Sequence, residues 1–247
     1  MQSCREKLSR NIPLIMGILN VTPDSFYDGG KYNALETIQK RVEEFVNEGV
    51  DIIDIGGESS RPDSTPVNEK EELSRIIPAI NIIKRITDIP ISIDTYKSNV
   101  ARASINEGAT IVNDIYGLRK PNMLETVTKL NCPVIIMHMH GEPSTMQKEP
   151  LKYDDDKIVT NFLKGQADKV INMGLDKDNV FLDPGIGFGK EQELNLRLIN
   201  ELNDLRSLGY PIVLGASRKS LVGKILDLPI EQRMLGSVLV HMLGVMN

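Results

Sequence analysis

The stretch "NEGVDIIDIGG", residues 47–57, decides the fold, because its pattern returns as "NEGATIVNDIYG" at 106–117 and as "SLGYPIVLGAS" at 207–217. In each copy a helical pattern stops at a glycine, Gly49, Gly108 or Gly209, which suits the left-handed residue just past a helix end, where a side chain is strained. A short apolar run follows at once and finishes in polar residues or glycine. Such runs occupy 14–20, 50–56, 90–94, 109–114, 133–138, 179–183 and 211–216. They are nearly continuous in apolar residues, as parallel strands buried on both faces are. Helical patterns fill the gaps: Leu35, Ile38, Val42 and Phe45 recur at three-four-three spacing, Leu194, Leu198, Leu202 and Leu205 at four-four-three, and Asn33 with Glu36 is spaced as a capping box.

Strand and helix in alternation imply a parallel sheet with right-handed crossovers, either a closed barrel or an open doubly wound sheet. No G-x-G-x-x-G follows the first run, and the 247 residues lie near the roughly 250 of a (β/α)8 barrel. The expectation is an α/β (β/α)8 TIM barrel, residues 1–247 forming a single domain. Only seven strand runs are legible, and "GSVLVHMLGVMN" at 236–247 reads as a helix, so the eighth βα unit is expected to be missing from this chain. A barrel so shortened would leave its first and seventh strands as open edges, with poor stability and reduced turnover.

Composition narrows the function classes. With 40% hydrophobic and 26% charged residues the chain is an ordinary soluble globular protein, and its net charge of −5 excludes a generic nucleic-acid surface. Two cysteines, Cys4 and Cys132, without metal-ligand spacing fit a reducing compartment. No run approaches the roughly 18 apolar residues of a membrane span, and the basic N-terminus has no apolar segment behind it, so a cytoplasmic location is expected and no membrane partner.

In a barrel of this class the site is built where strands end. The strand-end residues are Asn20, Asp54 with "GGESSRP", Asp94, Asn113 with Asp114, His138, Asp183, and Ser217 with Arg218 and Lys219. An Asp after a strand is commonly a turn former, and Asp54 and Asp114 can be no more than that. Asn20, Asp94, Asn113, Asp183 and Lys219 taken together are different. If they share one mouth, a polar ligand or water must satisfy them, because each buried unpaired polar group costs about 1–3 kcal/mol. Two carboxylates, amides and an ammonium suit a flat heterocycle carrying both donors and acceptors. His138 and His140 form an H-x-H pair, a spacing that alone does not make a zinc site. His241 falls in a helical pattern and reads as structural, and "YDDDK" at 153–157 as a solvated helix start.

The strings "GILNVTPDSFYDGG", "DIGGESSRPDS", "SIDTYKS", "VNDIYG", "MHMHGEPSTMQ", "LDPGIGFGK" and "GASRKS", in this order, resemble the dihydropteroate synthase family from about residue 14 to 236. The resemblance implies a barrel that joins 6-hydroxymethyl-7,8-dihydropterin pyrophosphate to p-aminobenzoate in folate biosynthesis, using Mg²⁺, through a dissociative pterin cation, and serving as a sulfonamide target. It implies Asp94 and Lys219 as catalytic, and Asp94, Asn113, Asp183, Phe188 and Lys219 as pterin contacts. Phe26, Ser60, Arg61, Pro62 and Ser220 are implied for p-aminobenzoate, and Asn20 for the metal. The partners implied are small molecules and, at full length, a second copy in a homodimer. The family's last strand carries an Arg-x-His pair that grips pyrophosphate, and no such pair occurs here. Two other readings stand beside this one: a pterin-binding module without turnover, and a pterin-dependent methyltransferase domain, which needs a corrinoid partner and leaves "TPDSFYDGG" and "SRKS" without a role.

Overall fold

In a computed structural model of the chain, residues 2–9, 12–22, 31–59 and 65–247 are described. Six parallel strands, β1 (Met16–Asn20), β2 (Ile52–Gly56), β3 (Ile91–Asp94), β4 (Ile111–Asp114), β5 (Val134–Met137) and β6 (Val180–Asp183), are hydrogen-bonded in chain order. Helices separate them, so the chain has the parallel α/β architecture that the alternating pattern implies. Gly49, Gly108 and Gly209 take φ of 76°, 125° and 82°, the left-handed conformation expected where each helix stops.

The seventh run is a correction. Residues 211–216 form no strand but a single parallel bridge, Ile212 to Leu182, with Val213 N–H donating to Leu182 O at 2.8 Å. Pro211 has no N–H to give, so the ladder is short. The other runs hold their places, with ends trimmed by one or two residues. β1 is not buried on both faces: Gly17 and Leu19 face inward, whereas Ile18 is 57% exposed.

By contact the chain forms two compact units: 2–9, 12–22, 31–59, 65–114 and 118–134 make the first, and 115–117 with 135–247 the second. The first unit carries β1 to β4 and the helices α1 (Gln2–Ser9), α2 (Lys31–Glu48), α3 (Glu69–Ile86), α4 (Ser98–Glu107) and α5 (Met123–Leu130). α2 begins at Lys31, which places Asn33 inside it rather than at the cap. Asn68 caps α3 by accepting from Glu71 N–H at 2.9 Å, and Glu69, Glu71 and Glu72 in the first turn with Lys84 and Arg85 in the last complement the helix dipole. Ile76, Ala79, Ile80 and Ile83 form the buried stripe of α3 and pack with Ile53, Ile55, Ile91 and Ile93 of the strands. Each such isoleucine contributes about 1.5–3 kcal/mol by leaving water, so Ile80→Asp would break this face. Lys84 Nζ donates to Glu107 O at 2.6 Å, satisfying a free carbonyl at the end of α4.

The second unit carries most of β5 with β6, α6 (Asp156–Asn172), α7 (Gln192–Asn200), α8 (Leu202–Arg206), α9 (Ser220–Leu226) and α10 (Met234–Met246). The leucine repeat 194–205 reads as one helix in the sequence, yet the chain breaks at Glu201, whose φ of −103° and ψ of 25° leave the helical region. Arg197 spans the break, with Nε 2.9 Å from Glu201 Oε2. Val159, Leu163, Ala167 and Val170 of α6 are fully buried.

Candidate functional site

Register builds the group of candidate residues in the first unit. Asn20 pairs with Gly56, Gly56 with Asp94, and Asp94 with Asn113, so the four stand in one row across the carboxyl ends of β1 to β4. Residues in register on parallel strands face the same side. A Cβ placed on Gly56 would stand 3.1 Å from Asn20 Oδ1 and 3.7 Å from Asp94 Oδ2, so both side chains lean over the glycine. One step lower, Asp54 is register partner of Ser92. Asn113 Nδ2 lies 3.3–3.4 Å from both Asp54 oxygens, which gives Asp54 more than a turn-forming part. Asp114 does form a turn, accepting from Leu118 N–H at 2.9 Å.

This group is acidic. Burial, followed by the neighbouring Asp54, Glu72, Asp114 and Glu58, holds the Asp94 carboxyl well above the usual carboxylate range. The cation among these carboxylates is Lys97, whose Nζ lies 2.5 Å from both Glu58 Oε2 and Glu72 Oε2. Tyr96 donates to Glu58 Oε1 at 2.7 Å and Val67 N–H to Glu58 Oε2 at 3.0 Å. Burial raises Glu72, opposed by its bond to Lys97. Among the described residues, a row of carboxylates with so few cations favours a ligand that brings N–H donors or positive charge.

The candidate residues of the second unit are gathered by a loop. Asp183 ends β6, is buried, and accepts from Gly185 N–H at 2.6 Å through Oδ1. Burial raises its pKa, while Lys219, the Gly185 N–H and Lys190 oppose the rise. Lys219 donates to Ile186 O at 2.5 Å and stands 4.6 Å from the centre of the Phe188 ring, a cation–π contact. Burial pushes its ammonium down to about 8, against the pull of Asp183. Gly215 makes room between them: a Cβ there would lie 3.8 Å from Lys219 Nζ and 4.0 Å from Asp183 Oδ2. Arg218 N–H donates to Ser237 Oγ at 2.7 Å. Ala216 N–H reaches His241 Nε2 at 3.4 Å, and the other ring nitrogen of His241 meets Ser237 O at 2.7 Å. His241 is therefore the structural histidine that the sequence suggests, bound to the loop that presents Lys219. Ser220 is the first residue of α9.

Within the first unit the structure thus brings together Asn20, Asp94 and Asn113, and within the second Asp183, Phe188 and Lys219. Phe26, Ser60, Arg61 and Pro62 lie outside the described residues. His138 is buried, its ring edge-on to Phe162 at 5.1 Å, and among the described residues no group of three His, Cys, Asp or Glu side chains could hold a metal. The exposed Asn20 amide and the Asp94 carboxylate beside it are donors that fit Mg²⁺ only when substrate phosphate oxygens and water supply the remaining ligands. Two groups escape the sequence reading. One is the Glu58–Lys97–Glu72 hub, and the other is Lys190, whose only signal is a lone cation closing the glycine-rich "GIGFGK".

Residues 16–247 match the pterin-binding enzyme family. The chain belongs to that class of enzymes, and within it to the dihydropteroate synthases. Dihydropteroate synthase of Haemophilus influenzae is 44% identical over 230 residues, 93% of this chain and 84% of its own length. The Clostridium difficile dihydropteroate synthase solved in the presence of pteroic acid superposes with a TM-score of 0.86 at 44% identity, covering 94% of this chain and 86% of that one. The Xanthomonas albilineans dihydropteroate synthase solved with 4-aminobenzoic acid gives 0.88 at 41%, covering 95% and 84%. These neighbours agree with the barrel class expected from the sequence. No helix among the described residues is long and apolar enough to cross a membrane.

Proposed function

We propose that the chain condenses 6-hydroxymethyl-7,8-dihydropterin pyrophosphate with p-aminobenzoate, giving 7,8-dihydropteroate and pyrophosphate. The observation that carries the reading is the register row Asn20–Gly56–Asp94–Asn113, found in a chain 44% identical to a synthase along nearly its whole length. In this reading Asp183 accepts the paired N–H groups of the pterin's 2-amino-4-oxopyrimidine edge, a fork that one carboxylate matches. Asp94 and Asn113 meet the ring's other polar atoms, Lys219 donates to its acceptors, and Phe188 lies near its face. Phe26, Ser60, Arg61, Pro62 and Ser220 hold p-aminobenzoate; the resemblance alone supports these.

The C–O bond to pyrophosphate breaks first and its electron pair leaves with the phosphate oxygen. The pterin methylene becomes a resonance-stabilised cation, which fixed carboxylates such as Asp94 stabilise without having to reorganise. The amine lone pair of p-aminobenzoate then forms the new C–N bond, and the nitrogen loses a proton to solvent. Asn20 would hold Mg²⁺ against the pyrophosphate; when bound, the ion neutralises leaving-group charge. The resemblance also supports a homodimer at full length, and two cysteines without metal-ligand spacing support a reducing, cytoplasmic location.

Incubating the purified chain with both substrates should yield dihydropteroate and pyrophosphate in equal amounts, read by mass spectrometry and a phosphate-coupled assay. Tight pterin binding without pyrophosphate release would leave a binding module instead. Binding of methyltetrahydrofolate with no response to p-aminobenzoate would favour the methyltransferase reading.

A further inference from the structure

Lys190 is 4% exposed, and its Nζ lies 2.9 Å from Gly185 O, 3.0 Å from Phe188 O and 3.1 Å from His138 O. An ammonium has three N–H donors, and here each has a carbonyl of its own. Two of those carbonyls belong to the loop after Asp183, the third to the segment after β5 against which that loop is pressed. The approach is close: Gly185 and Gly189 both have φ of 66°, and a Cβ at either would collide with the carbonyl oxygen of His138 or His140. Asn195 completes the frame, accepting from Gly187 N–H at 2.7 Å and donating to Lys190 O at 3.0 Å. The carbonyl left between those of Gly185 and Gly187 is that of Ile186, which is taken by Lys219. Burial drives the Lys190 ammonium down to about 7, with Asp183 opposing and Lys219 adding to the shift. A lysine kept under such conditions, with every donor spent on backbone, does no work on the surface.

Building on the pterin reading above, we infer that Lys190 is a positioning residue for the pterin. It holds residues 185–188 in the shape that presents Phe188 and Lys219 beside Asp183, and it touches no substrate itself. A residue that merely stabilised the second unit would affect both substrates alike, whereas one that shapes this loop affects the pterin side.

The test uses Lys190→Met, with Lys190→Gln keeping one donor and Lys190→Cys open to aminoethylation, which restores an ammonium. In ligand-free protein, amide exchange at 185–189 should speed up in Lys190→Met while the amides of α6 keep their rates. The KM for the pterin substrate should rise at least about tenfold and that for p-aminobenzoate change by less than about twofold. Aminoethylation of the cysteine variant should reverse both effects. Unchanged exchange at 185–189 would show that Lys190 does not hold the loop. Faster exchange with an unchanged pterin KM would show that the loop is held but is not the pterin's surface, so the pterin reading fails with the inference. Equal losses for both substrates, or variants none of which folds, would reduce Lys190 to a stabilising residue and overturn the proposal.

Discussion

The two units place a carboxylate in opposite electrostatic company. In the first, Asp94 is surrounded by Asp54, Glu58, Glu72 and Asp114, and every named neighbour pushes its pKa the same way as burial does. In the second, Asp183 has Lys190 and Lys219 beside it and a backbone N–H on one oxygen, all opposing burial. The contrast separates two tasks. A balanced carboxylate is suited to accepting hydrogen bonds from a neutral ring edge, whereas an uncompensated one is kept at a cost and suits positive charge that appears during reaction.

The largest effect expected from breaking this contrast is Asp94→Asn, which removes charge and little volume. kcat/KM should fall about 10³-fold. Stability should move the other way. A carboxyl whose folded pKa lies above its unfolded value binds its proton more tightly when folded, so its contribution to stability falls as pH rises from the unfolded value through the folded one. Thermal unfolding of Asp94→Asn at neutral pH should therefore show a higher Tm than the parent, and the gap should close in acid. A lower Tm at neutral pH would mean that Asp94 is compensated after all.

Next in size is Lys97→Met. It strands Glu72, whose side chain is 1% exposed, next to Glu58, and breaking a buried pair in this way costs about 3–5 kcal/mol. Urea unfolding measures it directly, and a loss below about 1 kcal/mol would show the hub to be a surface pair.

Lys219→Met sharpens the contrast from the second unit. Its ammonium, held down to about 8, is lost as pH rises through that value, so pterin affinity should decline on the alkaline side. Lys190, at about 7, titrates below it. The variant should bind pterin about 10²-fold more weakly at pH 7 and lack the upper of the two alkaline steps in a calorimetric pH series. A profile identical to the parent's would remove Lys219 from the ring.

The smallest effect tests a control far from either carboxylate. Lys84→Met loses the bond to Glu107 O at the end of α4 and should cost about 0.5–1 kcal/mol in urea, with kcat unchanged.

Strand order, the glycines that stop helices and the strand-end residues were all legible in the sequence, because each is a local signal: an apolar run, a required backbone conformation, a polar residue at a fixed place. The failures are failures of distance or of context. Residues 211–216 read as a strand by composition, but Pro211 and the loop geometry allow only one bridge. The leucine repeat 194–205 hides a break at Glu201, since apolar spacing does not record backbone angles. Glu58 and Lys97 lie 39 residues apart and look like solvated charges until folding joins them. Lys190 looks like the cation after a loop; only its three carbonyls reveal it as the loop's centre.

The row Asn20–Gly56–Asp94–Asn113 sits at the last rung of four parallel strands, and everything above it is connection. Chain can thus be inserted, shortened or exchanged beyond each rung while the strand ladder keeps the spacing of the polar atoms fixed. In the proposed reading the second substrate is met by residues 26 and 60–62, beyond the ends of β1 and β2, so a lineage could change those contacts while the row keeps its register.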